Sequence, residues 1–236
     1  MEIIDINIDR ILSCVPEDRR QLYYNQIQHL YNVEWGSGPV INMLQFLKDQ
    51  NIKTIADIGA NLGISLIKFY EFLSPFTECY CFEPDSTNFQ VLNNIVSSLT
   101  GANIMCYNTG IYYGKTEALV KSVGADTPNE SPGGYFLDVL EPDAITDLGP
   151  TSYFDNKVFK LTELETIIKT PLDLIKLDVE GSEYNIIKNS SLLKQSKFLL
   201  VEFHNNSVSM ISDFIAKYLP QFNIIQQHQN TYLLTK

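Results

Sequence analysis

The sequence predicts a single α/β domain with a doubly wound, mostly parallel sheet. Three observations carry that prediction. From residue 54 onward, short apolar runs alternate with amphipathic stretches, the rhythm of parallel strands connected by helices. A glycine-bearing turn, Asp57-Ile58-Gly59-Ala60-Asn61-Leu62-Gly63, falls between the first such run and the first amphipathic stretch. The chain closes with two strand-like runs joined by His228-Gln229-Asn230, so the last strand should run antiparallel to its neighbour.

Taken in order, residues 1–50 read as a helical extension. Ile8, Ile11, Leu12 and Val15 fall at helical spacing, as do Leu22, Ile27 and Leu30, then Ile41, Leu44 and Leu47. Pro16 and the run Trp35-Gly36-Ser37-Gly38-Pro39 break this extension into pieces. The domain proper, 51–236, begins with a strand at Thr54–Ile58 and a helix at Leu62–Leu73. A strand at Cys79–Phe82, a helix at Thr87–Leu99 and a strand at Asn103–Tyr107 follow. Residues 111–157, rich in Gly and Pro, interrupt the rhythm and read as a substrate loop or lid. A short helix at Leu161–Ile168 should open on a capping box formed by Thr162 and Glu165. The remaining expectations are a strand at Leu172–Leu177, a helix at Ser182–Lys188, a strand at Phe198–Phe203 and a helix at Val208–Tyr218. The terminal strands are Phe222–Gln226 and Thr231–Leu234. Parallel strands closed by an antiparallel hairpin depart from the usual dinucleotide-binding layout. They fit instead the seven-stranded sheet of Rossmann-like class I methyltransferases.

Composition narrows the partners. With 44% hydrophobic and 19% charged residues the chain reads as globular. Its net charge of −11, with 17 scattered basic residues, argues against nucleic acid as a partner. No apolar run approaches the ~20 residues that span a bilayer. The N-terminal MEIIDINIDRIL carries acids early and does not read as a signal peptide. Cys79 and Cys81 should share one strand face without bridging, and no zinc-type spacing occurs among the four cysteines. Reduced thiols and a cytoplasmic location are the expectation.

The cofactor reading rests on two loops. Gly59 and Gly63 let the backbone of Ala60 and Asn61 turn tightly and approach a ligand. Asp57 at the strand end would oppose a bound phosphate but tolerates a sulfonium nucleoside carrying an ammonium group, which favours S-adenosylmethionine over NAD. Glu83, in Phe82-Glu83-Pro84-Asp85, lies 24 residues past Gly59, a position suited to accepting ribose hydroxyls. The loop Asn108-Thr109-Gly110-Ile111 should edge the adenine.

These loops, the run FEPDSTNFQVLNNI, and above all Leu174-Ile175-Lys176-Leu177-Asp178-Val179-Glu180-Gly181-Ser182-Glu183 resemble the FkbM family of methyltransferases. Phe198-Leu199-Leu200-Val201-Glu202-Phe203-His204 is similar to that family's next strand. The resemblance covers roughly residues 53–204 and implies O-methylation, often of sugar hydroxyls in glycans or natural products. Residues 1–50 and 111–157 fall outside it, which leaves the acceptor and the oligomeric state open.

A hydroxyl acceptor needs a base or a metal ion. His204 or Asp178 is the expected base, with Glu180 and Glu202 orienting the pair or the acceptor; Asp178 also borders the cofactor. The alternative is a divalent cation, Mg²⁺ or Mn²⁺, on Asp178, Glu202 and His204. A plainer role for Glu180 is to cap the helix beginning at Ser182, and Glu183 reads as an outer-shell or surface residue. Tyr112, Tyr113, Tyr135, Phe136, Tyr153 and Phe154 suit a sugar-binding lid or simply pin the loop. Trp35 either covers the cofactor or anchors its own segment. Two rivals remain: a nicotinamide-dependent oxidoreductase, and a non-catalytic module that binds S-adenosylmethionine.

Overall fold

The computed structural model describes residues 8–120, 157–204 and 207–236. Seven strands form a mixed sheet in the order β3-β2-β1-β7-β8-β10-β9, and three more form a small sheet in the order β4-β6-β5. The chain divides after Asn108 into two compact units.

The first unit opens with α1 (Ile8–Ile11), 3-10 turns at Leu12–Cys14 and Glu17–Arg19, and α2 (Arg20–His29). A π-helical turn, Leu30–Glu34, follows, then α3 (Gly38–Lys48). The helical segments are separated at Trp35–Ser37, and Pro39 sits in the first turn of α3, where its missing N–H costs nothing. Trp35 is buried edge-on against Phe69, with ring centroids 5.8 Å apart, which makes it an anchor for its own segment. Asn94 Nδ2 donates to the Ile11 carbonyl at 2.8 Å and ties the extension to α5 (Ser86–Val96).

Strand β1 (Thr54–Ile58) pairs in parallel with β2 (Glu78–Phe82), and β2 with β3 (Asn103–Tyr107). Between β1 and β2 lies α4 (Ile64–Leu73), whose residues Ile64 to Phe69 are all buried, as befits a helix apolar on nearly every side. In α5 the buried positions Asn88, Val91, Leu92 and Ile95 follow helical spacing. Its N-terminus is capped by Asp85, whose carboxylate accepts from the amides of Thr87 and Asn88. Cys79 Sγ and Cys81 Sγ lie 3.8 Å apart on one face of β2, and all four cysteines are free thiols.

The second unit begins with β4 (Gly110–Ile111) and β5 (Glu117–Val120), both paired with β6 (Lys157–Thr162). Here the sequence expectation fails. The stretch from Val158 to Leu161 alternates exposed and buried residues, the period of a strand, and the helix α6 occupies only Leu164–Ile167. Thr162 therefore caps nothing, because it ends β6. Glu165 instead accepts from Tyr113 Oη, from Ser190 Oγ at 2.9 Å and from the Leu192 amide at 2.9 Å. Most of the 111–157 lid, with Tyr135, Phe136, Tyr153 and Phe154, lies outside the described residues.

The strand β7 (Leu174–Leu177) precedes α7 (Glu183–Asn189) and pairs in parallel with β8 (Phe198–Glu202). After α8 (Val208–Tyr218), the hairpin β9 (Asn223–His228) and β10 (Thr231–Thr235) closes the chain. Strand β10 is antiparallel to both β8 and β9, as the terminal hairpin predicts. Among the described residues no helix is long and apolar enough to cross a membrane.

Candidate active site

Two groups of residues occupy the carboxyl ends of strands. The first unit carries a backbone cradle after β1. Gly59 and Ala60 donate their amides to the Phe82 carbonyl at 3.0 and 2.9 Å, and Gly63 donates to Ala60 at 2.8 Å. The turn requires left-handed backbone at Gly59 (φ 81°), Asn61 (φ 49°) and Gly63 (φ 84°). The positive φ favours glycine at position 63, and a Cβ there would also press to 2.9 Å on Leu92 Cδ1. Glu83 is 6% exposed and accepts from the Asn61 amide at 2.9 Å and the Asp85 amide at 2.8 Å. These two bonds orient the Glu83 carboxylate. Asp57 is fully buried behind the turn and accepts from Ser65 Oγ at 2.5 Å. Pro84 and Glu83 each accept through their carbonyls from Asn108 Nδ2, at 3.1 and 2.9 Å.

Gly110 and Ile111 do more than edge a loop. They form β4, in register with Leu161 and Thr162, and Ile111 is buried. Tyr113 is pinned on both sides: its hydroxyl bonds Glu165, while its amide and carbonyl bond Asn185 at 2.8 and 3.2 Å.

In the second unit Asp178 and Glu180 follow β7, Glu202 ends β8 and His204 comes two residues later. The three carboxylates converge on one imidazole nitrogen. His204 Nε2 lies 3.3 Å from Glu180, 3.8 Å from Asp178 and 3.9 Å from Glu202. Its other nitrogen, Nδ1, meets Glu183 Oε1 at 2.8 Å. Glu183 is fully buried, which removes the surface reading, and it also accepts from the amides of Val179 and Gly181. Glu180 does not cap α7: Ser182 occupies the cap position without a side-chain bond, and Glu180 itself is left-handed at φ 51°.

The electrostatics follow from this crowding. Burial pushes the Glu180 carboxyl up, His204 pulls it down, and Asp178, Glu183 and Glu202 push it up again, to about 7. Burial alone would lower His204, but its hydrogen bond to Glu183 and the charges of Glu183, Glu180 and Asp178 raise it to about 9. Asp178, Glu180 and His204 also offer ligand atoms within 4.8 Å of one another. That nearest set contains Glu180 where the sequence suggested Glu202.

Several functional neighbours escaped the sequence reading. Lys176, only 4% exposed, sets its ammonium 3.4 Å from Asp178 Oδ2; its signal was a lone lysine in an otherwise apolar strand. Ser65 is the second residue of the helix after the glycine loop. Asp85, immediately before a helical run, carries an ordinary N-cap signal.

A glycine cradle with a buried acidic partner, set on a sheet ended by an antiparallel hairpin, defines the Rossmann-like class I methyltransferases. The chain belongs to the FkbM methyltransferases: the family described as the methyltransferase FkbM domain matches residues 57–232. It is therefore an S-adenosylmethionine-dependent methyltransferase. No curated protein matches the sequence. Solved structures that it resembles include the ribosomal protein L11 methylase of Lactobacillus delbrueckii subsp. bulgaricus, 10% identical with a TM-score of 0.46. That likeness covers 85% of this chain and 80% of the other. An rRNA methylase from Streptococcus thermophilus is 10% identical over 84% of this chain and 95% of its own, with a TM-score of 0.47. M. capricolum TrmK, in complex with S-adenosyl-homocysteine, is 14% identical over 84% and 67%, with a TM-score of 0.44.

Proposed function

We propose that the chain methylates a hydroxyl of a neutral, polyhydroxylated acceptor, a sugar, glycan or natural product. The observation that supports this best is the Glu180–His204 pair, in which the carboxyl is pushed up to about 7 beside an imidazole pushed up to about 9. S-adenosylmethionine supplies an electrophilic methyl group. A hydroxyl must shed its proton as the new bond forms, and a base works best when its proton affinity lies near the working pH. Glu180 fits that role better than His204 or Asp178, which the sequence favoured. His204 stays cationic in neutral solution, offsets the surrounding carboxylates and donates from Nε2. Asp178 and Glu202 are suited to accept hydrogen bonds from neighbouring acceptor hydroxyls. In the cradle, Glu83 would hold the ribose, and the backbone of Gly59, Ala60, Asn61 and Gly63 the nucleoside.

A carboxylate-rich cluster on a chain of net charge −11 repels phosphates, which supports an uncharged acceptor over nucleic acid. A divalent cation on the same residues would first have to displace a proton that His204 holds to about 9. A cation at these residues would therefore compete with that proton. The free thiols support a reducing, cytoplasmic setting.

The test is transfer of tritiated methyl from S-adenosylmethionine to a panel of glycosides and hydroxylated natural products. RNA and amines serve as controls, each with and without EDTA. Label on a glycoside, indifferent to EDTA, is the expected result. Label only on RNA or on an amine overturns the acceptor, and loss of transfer on chelation overturns the proton reading in favour of a metal.

A further inference from the structure

We propose that Glu183 is the positioning residue of the cluster, one buried carboxylate that fixes both the turn carrying Glu180 and the ring of His204. The inference rests on the methyltransferase reading for its purpose, but its geometry stands alone. Glu183 Oε1 accepts from the Val179 amide at 3.1 Å and from His204 Nδ1 at 2.8 Å, and Oε2 accepts from the Gly181 amide at 3.0 Å. Val179 and Gly181 flank Glu180 on either side. Glu180 is the residue forced into left-handed backbone, a conformation that a non-glycine side chain holds only when its surroundings over-determine it. The two amides bound to one carboxylate supply that constraint. The same carboxylate then reaches the imidazole 21 residues further on, where it sets Nδ1 as a donor and leaves Nε2 to face Asp178, Glu180 and Glu202.

A loop cap alone would bind the two amides and stop there. Fixing the histidine requires a charged acceptor, because all three partners are N–H donors. A glutamine at position 183 has a single acceptor oxygen, and its amide would set donor against donor. Burying a carboxylate completely is costly unless it is met by several donors, and Glu183 meets three groups at once. Its effect on methyl transfer therefore runs through Glu180 and His204, neither of which it replaces.

The experiment is nitrogen NMR of the full chain labelled with ¹⁵N-histidine, titrated from pH 5 to 10. The sequence holds three histidines; His29 and His228 are exposed, and His204→Gln identifies the third signal. In the unaltered protein His204 should remain doubly protonated well above neutrality. In Glu183→Gln its titration midpoint should fall by at least about one pH unit. Calorimetric binding of S-adenosylhomocysteine should stay within about threefold, which reports an intact fold. A midpoint that does not move in Glu183→Gln overturns the proposal. Should that variant fail to fold, the unaltered protein decides: a His204 that titrates like the exposed histidines overturns it. Loss of S-adenosylhomocysteine binding by the unaltered chain, with His204 still protonated, would instead sink the methyltransferase reading and leave this one standing.

Discussion

Glu180 and His204 face each other at 3.3 Å, and their proton affinities are drawn to about 7 and about 9 from ordinary values of 4.5 and 6.5. Between those two values Glu180 is ionised while His204 keeps its proton. Activity should therefore rise through about pH 7 and decline through about pH 9, with the limbs belonging to the coupled pair. Glu180→Gln should remove the acid limb and lower kcat at least about a hundredfold, the scale of a lost general base. A pH–rate profile that stays flat from 6 to 10 rules out this proton path.

Both members of the pair make stability fall as pH rises. His204 is raised in the folded chain, so its contribution is complete below about 6.5 and is lost as pH climbs through about 9. Glu180 is raised as well, but as an acid it gains its charge at the folded chain's expense as pH passes from about 4.5 to about 7. Urea unfolding from pH 5 to 10 should show both declines. His204→Gln should flatten the alkaline one, and an unchanged alkaline decline removes His204 as its source.

Glu180→Gly separates stability from activity. A non-glycine residue in left-handed backbone costs roughly 1–2 kcal/mol, and this one also brings a carboxylate into a crowd of them. The glycine variant should unfold about 2–4 °C higher, the shift expected for about 1 kcal/mol in a chain of this size, while methyl transfer collapses. A lower melting temperature would mean that the Glu180–His204 contact outweighs the strain.

The sequence made the scaffold legible wherever pattern and local chemistry agree. The strands Thr54–Ile58 and Asn103–Tyr107 and the helix Val208–Tyr218 occupy the predicted residues. Their apolar runs are bounded by polar breakers, and nothing distant competes. The helix expected at Leu161–Ile168 is shorter, Leu164–Ile167, because Leu161 and Thr162 end β6: Leu161, Leu164 and Ile168 stand at helical spacing, while the alternation that makes β6 a strand covers few residues. The cluster was legible as a set of residue types at two strand ends. Its division of labour was not. Burial of Glu183 depends on two backbone donors and on a histidine 21 positions away, and the proton affinities of Glu180 and His204 depend on that burial. Pairings of this kind leave no periodic signal.

Gly63 tests the cradle independently of the acid cluster. Its φ of 84° strains any side chain there, and the 2.9 Å approach of a built Cβ to Leu92 Cδ1 means that Gly63→Ala must shift either the turn or the Leu92 side chain. Binding of S-adenosylhomocysteine should weaken about tenfold or more, equivalent to about 1.4 kcal/mol, with the His204 titration unchanged. Unaltered affinity would show that the turn does not shape the nucleoside site.

Glu165 ties three separate segments together, and its loss should loosen them as a group. It accepts from Tyr113 Oη in the segment after β4, from Ser190 Oγ, and from the Leu192 amide at the start of the next turn. Burial pushes its carboxyl up, yet the bonds from Leu192, Tyr113 and Ser190 prevail and hold it below the ordinary carboxylate value. An acid held low contributes stability that is complete above about 4.5 and is lost as pH falls through its folded value. Glu165→Ala leaves those donors without their acceptor, at about 1–3 kcal/mol for each group that stays buried and unmet. Hydrogen exchange should quicken at Tyr113, whose amide is otherwise held by Asn185, and at Leu192. Amides in β1 should keep their protection. If exchange at Tyr113 and Leu192 matches that of the unaltered chain, Glu165 is a passive surface acid, and the segment after β4 is held by Asn185 alone.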